Sequence, residues 1–369
     1  MTKIYKALGL MSGTSLDGVD AAIIETDGVT IQTFGPARTT AFTASQQDTL
    51  SEATQAAVRW NFDGPRPNSL FRAEDIADAE HAAAVKSLLA AHGLTPHDID
   101  VVGYHGQTVL HDGAGGRTLQ IGDGQRLADR LGITTVWDFR SADVAAGGQG
   151  APIAPIFHKA LVARSGLDGV TAVLNLGGVG NVSIIDDEAL SASDTGPANG
   201  PLDSFLRERG IAQDEAGSVS MSGDIDFALV ERWTDRAFFR QTPPRSADRH
   251  DFDVWHDLAA HGTADGAATL CAFAARGVAQ TLRAMAAVPA RIVLCGGGRH
   301  NRTLATLIAM ETGCQVVPAE RLGWNSDSIE SQAFAYLAVR VLEGLPNSFP
   351  ETTGVREPTV GGVVSWPGA

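Results

Sequence analysis

One unit occurs twice in this chain: an apolar strand, a glycine-bearing turn, a second apolar strand and an acidic turn. The first copy reads Ile4 to Leu10, then Gly13 and Gly18, then Val19 to Thr26, with Asp27-Gly28 leading to a third strand at Thr30 to Phe34. Asp-Gly between such runs is a hairpin signal. The second copy reads Val170 to Leu176, Gly177-Gly178-Val179-Gly180-Asn181, Val182 to Ile185 and Asp186-Asp187. A repeated unit of this kind predicts a duplicated fold. Helices and strands alternate after each copy, which makes the class α/β.

The spacing of apolar residues places the remaining elements. Helices are predicted at Ser45 to Arg59 and Leu70 to Ala91, the latter with Leu70, Ala73, Ala77, His81, Val85, Leu88 and His92 on one face. A strand at Asp100 to Tyr104 is expected to end at His105-Gly106, followed by strands at Thr118 to Ile121 and Thr134 to Trp137 around a helix at Gln125 to Leu131. In the second half a helix at Ala264 to Ala287 buries Ala267, Cys271, Ala274, Val278 and Leu282, a strand at Arg291 to Cys295 feeds Gly296-Gly297-Gly298, and a strand (Gln315 to Val317) and a helix (Ser328 to Glu343) follow. The chain has 369 residues, which suits two domains of the usual size. The expected division is 1–137 plus 345–369 against 138–344, with a loose tail from about Pro346.

Charge and composition narrow the function. The net charge of -15 repels phosphate backbones, so no nucleic-acid partner is expected, and an anionic small substrate would need local arginine or amide donors. No run approaches the roughly 20 apolar residues of a membrane span. The N-terminus carries no apolar leader, and Cys271, Cys295 and Cys314 lack metal-ligand spacing, which together predict a reducing, cytoplasmic location.

In a duplicated fold the two glycine-bearing turns are expected to face each other across a cleft. Gly13, Thr14, Ser15, Leu16, Asp17, Gly18, Val19 and Asp20 form the first loop. Such a loop can present N–H groups and hydroxyls to phosphate, and Asp17 or Asp20 can hold magnesium. Gly177, Gly178 and Asn181 form the second, while Gly296, Gly297, Gly298 and Asn301 are expected to border an adenosine. None follows the P-loop pattern. A polar hairpin turn is the structural alternative for any one of these loops taken alone.

The block GLMSGTSLDGVDA resembles the signature of the anhydro-N-acetylmuramic acid kinase family, within the superfamily of sugar kinases, heat-shock ATPases and actin. The resemblance continues through GYHGQTVLH, VWDFRSADVAAGGQGAPIAP, LNLGGVGNVSII, SDTGPANGPLD, PPRSADRHDFDV, CGGGRHN and ESQAFAYLA. It implies a two-domain actin-like ATPase fold with ATP bound between the lobes, ATP and Mg2+ as cofactors, a homodimer, and a small anhydro-sugar as substrate. The implied reaction adds water at C1 of 1,6-anhydro-N-acetylmuramic acid and a phosphoryl group at O6. Levoglucosan, which has no carboxylate, is the rival sugar. An ATPase of actin or chaperone type is the distant rival.

By this resemblance Asp194, in Ser193-Asp194-Thr195-Gly196-Pro197, is the base that activates water. The residues around it point the same way: Asn199 and Gly200 are placed to cap a helix at Pro201 to Arg209, leaving Asp194 in a loop. Glu330 matches a glutamate near the sugar, although Asp327-Ser328-Ile329-Glu330 also reads as a capping box. Arg140 has the planar fork that suits a carboxylate. Asp138 and Asp143 beside it are assigned to the same sugar site, with an ion pair to Arg140 as the structural alternative. His105, Gln107 and Thr108, expected just past a strand end, are assigned to the sugar as well.

Overall fold

The structure, a computed structural model, describes residues 3–13, 15–113, 115–247 and 249–368. In chain order the strands are β1 (Tyr5–Ser12), β2 (Gly18–Thr26), β3 (Ile31–Ala41), β4 (Val101–Asp112), β5 (Arg117–Ile121) and β6 (Thr135–Trp137). They are followed by β7 (Thr171–Leu176), β8 (Val179–Asp186), β9 (Ala189–Pro197), β10 (Arg291–Cys295), β11 (Gln315–Pro318) and β12 (Val363–Ser365).

The chain forms two compact units. One runs through Arg164 and takes in Ser328–Pro350 and the chain from Gly354 on; the other is Ser165–Asp327 with Glu351–Thr353. These boundaries differ from the expected 1–137 plus 345–369 against 138–344. The helix Ile329–Leu342 packs on β1, β2 and β4, which assigns it to the first unit although it lies late in sequence.

The first sheet has the order β12-β6-β4-β1-β2-β3, with β5 paired to β4, and the second has the order β11-β10-β7-β8-β9. In the first, β1, β2 and β3 are an antiparallel meander, and β4 and β6 continue parallel to β1. In the second, β7, β8 and β9 are the meander, and β10 and β11 continue parallel to β7. Strand order and direction are therefore the same in both units, which is the duplicated α/β fold that the repeated turns predict.

Each sheet is covered by apolar helix faces. In the first unit Leu8, Leu10, Val19, Ala21 and Ile23 pack against Leu50, Ala53, Leu70, Ala73, Val85 and Leu88. Six of the seven residues predicted to line the helix Asn68–Ala91 are buried; His92 is its exposed C-cap. In the second unit the helix Thr263–Ala284 buries its whole predicted stripe against Ala172, Leu174, Val182 and Ile184. The other face of the first sheet is nearly flush with the helix Ile329–Leu342. A Cβ at Gly9 would lie 1.8 Å from the Ser331 carbonyl oxygen, and one at Gly103 would lie 2.0 Å from that of Phe334.

The expected loose tail is docked. β12 pairs antiparallel with β6, and the Asn347 amide donates to the Gly361 carbonyl (2.6 Å) while accepting the Gly361 N–H (2.8 Å). Periodicity missed this because a three-residue edge strand carries too little pattern to read.

Candidate active site

Several of the residues singled out from sequence lie, within each unit, at or near the ends of the parallel ladders. Open α/β sheets build ligand sites at that edge. In the first unit it holds Gly13 after β1, His105 to Thr108 on β4, and Asp138 to Arg140 after β6. In the second it holds Gly177 and Gly178 after β7, and Gly296 to Gly298 after β10.

The first loop is set by its neighbours. Leu16 has φ +59° and its N–H donates to the Gly13 carbonyl at 3.2 Å. Gln107, 1% exposed, braces the loop from β4: its Oε1 accepts the Ser12 hydroxyl at 2.6 Å and its Nε2 donates to the Gly13 carbonyl at 3.2 Å. Ser15 and Asp17 are exposed. Thr14 lies outside the described residues. Val19 does not fit its expected role at the nucleotide, since its side chain is wholly buried in the core and its backbone is in the ladder with Thr40. Asp20 lies within β2, opposite Met11 and Thr39, and accepts the Thr39 hydroxyl.

Asp17 and Asp20 are the two carboxylates of this stretch. Among the described residues no group of three or more His, Cys, Asp or Glu could hold a metal ion by itself. Magnesium is commonly held by one or two carboxylates together with waters and substrate phosphates.

His105 does not follow a strand end as expected. β4 continues to Asp112; around Gly106 (φ +73°) its register with β1 shifts, its pairing with β6 has ended at Tyr104, and its pairing with β5 begins at Gln107. The buried His105 ring is fully engaged. Its Nδ1 lies 2.9 Å from the Gly106 carbonyl, and its Nε2 accepts from Arg140 Nε (3.3 Å) and Nη2 (3.1 Å). Burial, and then the neighbouring Arg140 charge, hold its pKa well below the ordinary histidine value, so the ring is neutral. Its observed task is to orient Arg140, whose Nη1 donates to the Gly150 carbonyl at 2.8 Å. Thr108 accepts from Gln120 Nε2 at 3.3 Å. Asp138 accepts the Ser141 hydroxyl, and the buried Asp143 carboxylate accepts the Gly150 N–H at 2.6 Å. Arg140 and Asp143 thus hold the carbonyl and the N–H of Gly150, one on each of its two flanking peptide groups.

In the second unit the glycine turns converge on one helix start. The Gly178 carbonyl accepts from the N–H groups of Ala198 (3.1 Å) and Gly200 (3.0 Å), and the Gly177 carbonyl accepts from Asn199 (2.9 Å). The helix is Asn199–Arg207, capped at Ala198 without a side-chain bond, so Asn199 and Gly200 lie inside it rather than capping it. Gly296 has φ +73°, and a Cβ there would meet Asn175 Oδ1 at 2.3 Å. The loop therefore approaches β7 as closely as glycine permits. Asn301 differs from its expected place at an adenosine. It is buried, caps the helix Arg302–Thr312 by accepting the Leu304 N–H (3.0 Å), and donates to Asp214 (3.1 Å).

Asp194 is not in a loop. It lies on β9, opposite Asn181 on β8, and is 7% exposed. The pairing slips at this point, so that Thr195 is the extra residue between Asp194 and Gly196. Bulges of this kind re-aim side chains beside active sites. The Asp194 N–H donates to the Arg245 carbonyl (2.9 Å) and its Oδ2 accepts the Ala247 N–H (2.8 Å). A helix cap could not reveal this, because what holds Asp194 is a segment some fifty residues further along. Asn175, opposite Asn181 on β7, completes a polar row across three strands. An asparagine inside the apolar run Thr171–Leu176 was the sequence signal for it.

Glu330 is exposed in the first turn of the helix Ile329–Leu342. The capping box is not formed: Ser328 is the N-cap without a side-chain bond, which makes Glu330 the second helical residue, one short of the capping position.

The family model described as anhydro-N-acetylmuramic acid kinase matches residues 5–367. A protein of that name from Rhizorhabdus wittichii is 48% identical, over 100% of both chains. Another from Methylorubrum populi is 46% identical over 98% of this chain and 99% of its own, and one from Caulobacter vibrioides is 44% identical over 97% and 98%.

Proposed function

The chain belongs to the anhydro-N-acetylmuramic acid kinase family, and from that premise we propose how its residues divide the reaction. It is an ATP-dependent phosphotransferase acting on 1,6-anhydro-N-acetylmuramic acid, a sugar of cell-wall recycling. Asp194 takes a proton from water as the water attacks C1. The C1–O6 bond breaks through a transition state with oxocarbenium character. O6 then accepts the γ-phosphoryl group, giving N-acetylmuramic acid 6-phosphate and ADP. Asp17 and Asp20 would hold a magnesium ion, which when bound would neutralise charge in that transfer. The N–H groups and glycines of the loops at 13–18, 177–181 and 296–298 hold the nucleotide, and Glu330 assists proton handling at the sugar. A homodimer in the cytoplasm completes the proposal. The three cysteines are free, which suits a reducing compartment.

The observation that carries this reading is the pinned carboxylate of Asp194 at the bulge of β9. The test is ADP release with ATP, magnesium and the anhydro-sugar, beside levoglucosan and a no-sugar control, in isotopic water. Sugar-dependent ADP with solvent oxygen at C1 supports it. Activity only with levoglucosan keeps the chemistry and moves the substrate. ADP release that ignores every sugar overturns the reading.

We assign the lactyl carboxylate to Arg140, held in place by His105 and Gly150. A charged hydrogen bond of about 1.5–3 kcal/mol is at stake. Arg140→Ala should therefore cost about 10- to 100-fold in kcat/KM on the acidic sugar. Any residual activity on levoglucosan should be spared. Equal losses on both sugars would sink the assignment.

A further inference from the structure

We propose that Arg245 is a positioning residue for Asp194, fixing the strap that clamps the carboxylate. This rests on the reading of Asp194 as the base.

Arg245 is among the most deeply buried cations in the chain, 2% exposed. Its Nη1 donates to the carbonyls of Phe238 (3.1 Å), Phe239 (3.3 Å) and Gln241 (3.0 Å). Those carbonyls lie at the C-terminal end of the helix Ala237–Arg240, where positive charge is favoured. Its Nη2 donates to the Thr281 hydroxyl at 2.8 Å, and its guanidinium carbon stands 4.3 Å from the centre of the Phe238 ring. Every one of these side-chain partners is neutral, and Nε is buried with none. Burying a charge this way is costly unless an opposite charge shares the environment. Burial pushes the guanidinium pKa down to about 10, and the negative charge of Asp194 works against that fall.

The backbone of the same residue completes the clamp. The Arg245 N–H donates to the Ser193 hydroxyl (3.2 Å), and the Arg245 carbonyl accepts the Asp194 N–H (2.9 Å). Two residues on, the Ala247 N–H holds Asp194 Oδ2 at 2.8 Å. The side chain thus nails the strap to the helix end and to Thr281 on the helix Thr263–Ala284, while its main chain grips β9 at Ser193 and Asp194, just before the bulge. A general base must be held within a fraction of an ångström of its working geometry, and a misplacement of about 1 Å can cost about 100-fold.

The test compares Arg245→Met, Arg245→Lys, Asp194→Asn and the Arg245→Met/Asp194→Asn double variant in the full chain, with kcat, both KM values and thermal melts for each. Arg245→Met is expected to lose about 10- to 100-fold in kcat with the KM for ATP unchanged, and Arg245→Lys to recover most of it. On the Asp194→Asn background the Arg245→Met change should cost nothing further, because its effect passes through the carboxylate. A full additional loss in the double variant would make Arg245 merely structural and overturn the proposal, as would a folded Arg245→Met with the parent kcat. If Arg245→Met does not fold, Thr281→Val removes one anchor instead. A kcat loss that vanishes on the Asp194→Asn background then supports the proposal, and no loss overturns it. Parental activity in Asp194→Asn would show instead that the base itself is misassigned.

Discussion

Asp194→Asn lowers kcat for sugar-dependent ADP formation by about 100- to 10,000-fold, the usual contribution of a positioned general base. The amide keeps the shape of the side chain and can still accept the Ala247 N–H, so β9 and its bulge stay in place. What is lost is the ability to take a proton from water as it attacks C1. ATP binding should be that of the parent, since the glycine loops are untouched. The measurement is initial-rate ADP release at saturating sugar, with nucleotide affinity determined separately. A variant that retains more than about a tenth of the parent kcat would remove Asp194 from the chemistry, because no base of this type contributes so little. A variant that loses nucleotide affinity in proportion would make it a binding residue.

The second large effect is on stability. Gly9→Ala and Gly103→Ala each place a methyl group where the helix Ile329–Leu342 already lies against the sheet. The added Cβ would stand 1.8 Å from the Ser331 carbonyl oxygen and 2.4 Å from the Ala335 nitrogen in the first case, and 2.0 Å from the Phe334 carbonyl oxygen in the second. All three atoms are backbone, so no side chain can rotate away. The helix must lift off β1 and β4, opening the packing of Phe334 against His105 and Phe139, whose rings are 4.5 and 5.3 Å away. Overpacking usually costs about 1–3 kcal/mol, and backbone contacts this close belong at or above the upper end. For a unit of this size, about 3 kcal/mol lowers the melting temperature by roughly 6–12 °C. Thermal melts followed by circular dichroism decide the matter. A midpoint within about 2 °C of the parent would mean that the sheet accommodates the methyl group and that the close approach is not required.

Much of the fold was visible in the sequence, and what was not visible shares a cause. The turn at Asp27-Gly28, the stripe from Ala267 to Leu282 and the repeated strand–glycine–strand unit are local patterns, and each is found where it was expected. Arg140 suits a carboxylate by its chemistry alone, but the bonds that fix it, to His105 and to Gly150, cross 35 and 10 residues. Asn301 looked like a nucleotide contact because it follows three glycines; its fate as a cap depends on the helix that begins after it. Val19 belonged to the signature and yet is core, since a strand in a signature still alternates between faces.

By itself the sequence determined the class of the fold, its duplication and the family, because periodicity, turn chemistry and signature blocks are written in neighbouring residues. Tertiary structure alone decided which polar residues are held in place and by what. Asp194 is pinned by Arg245 and Ala247, residues 51 and 53 positions away in the sequence. Contacts of that range arise only when loops close and strands pair, and the apolar pattern that drives the closure does not record which polar groups it brings together.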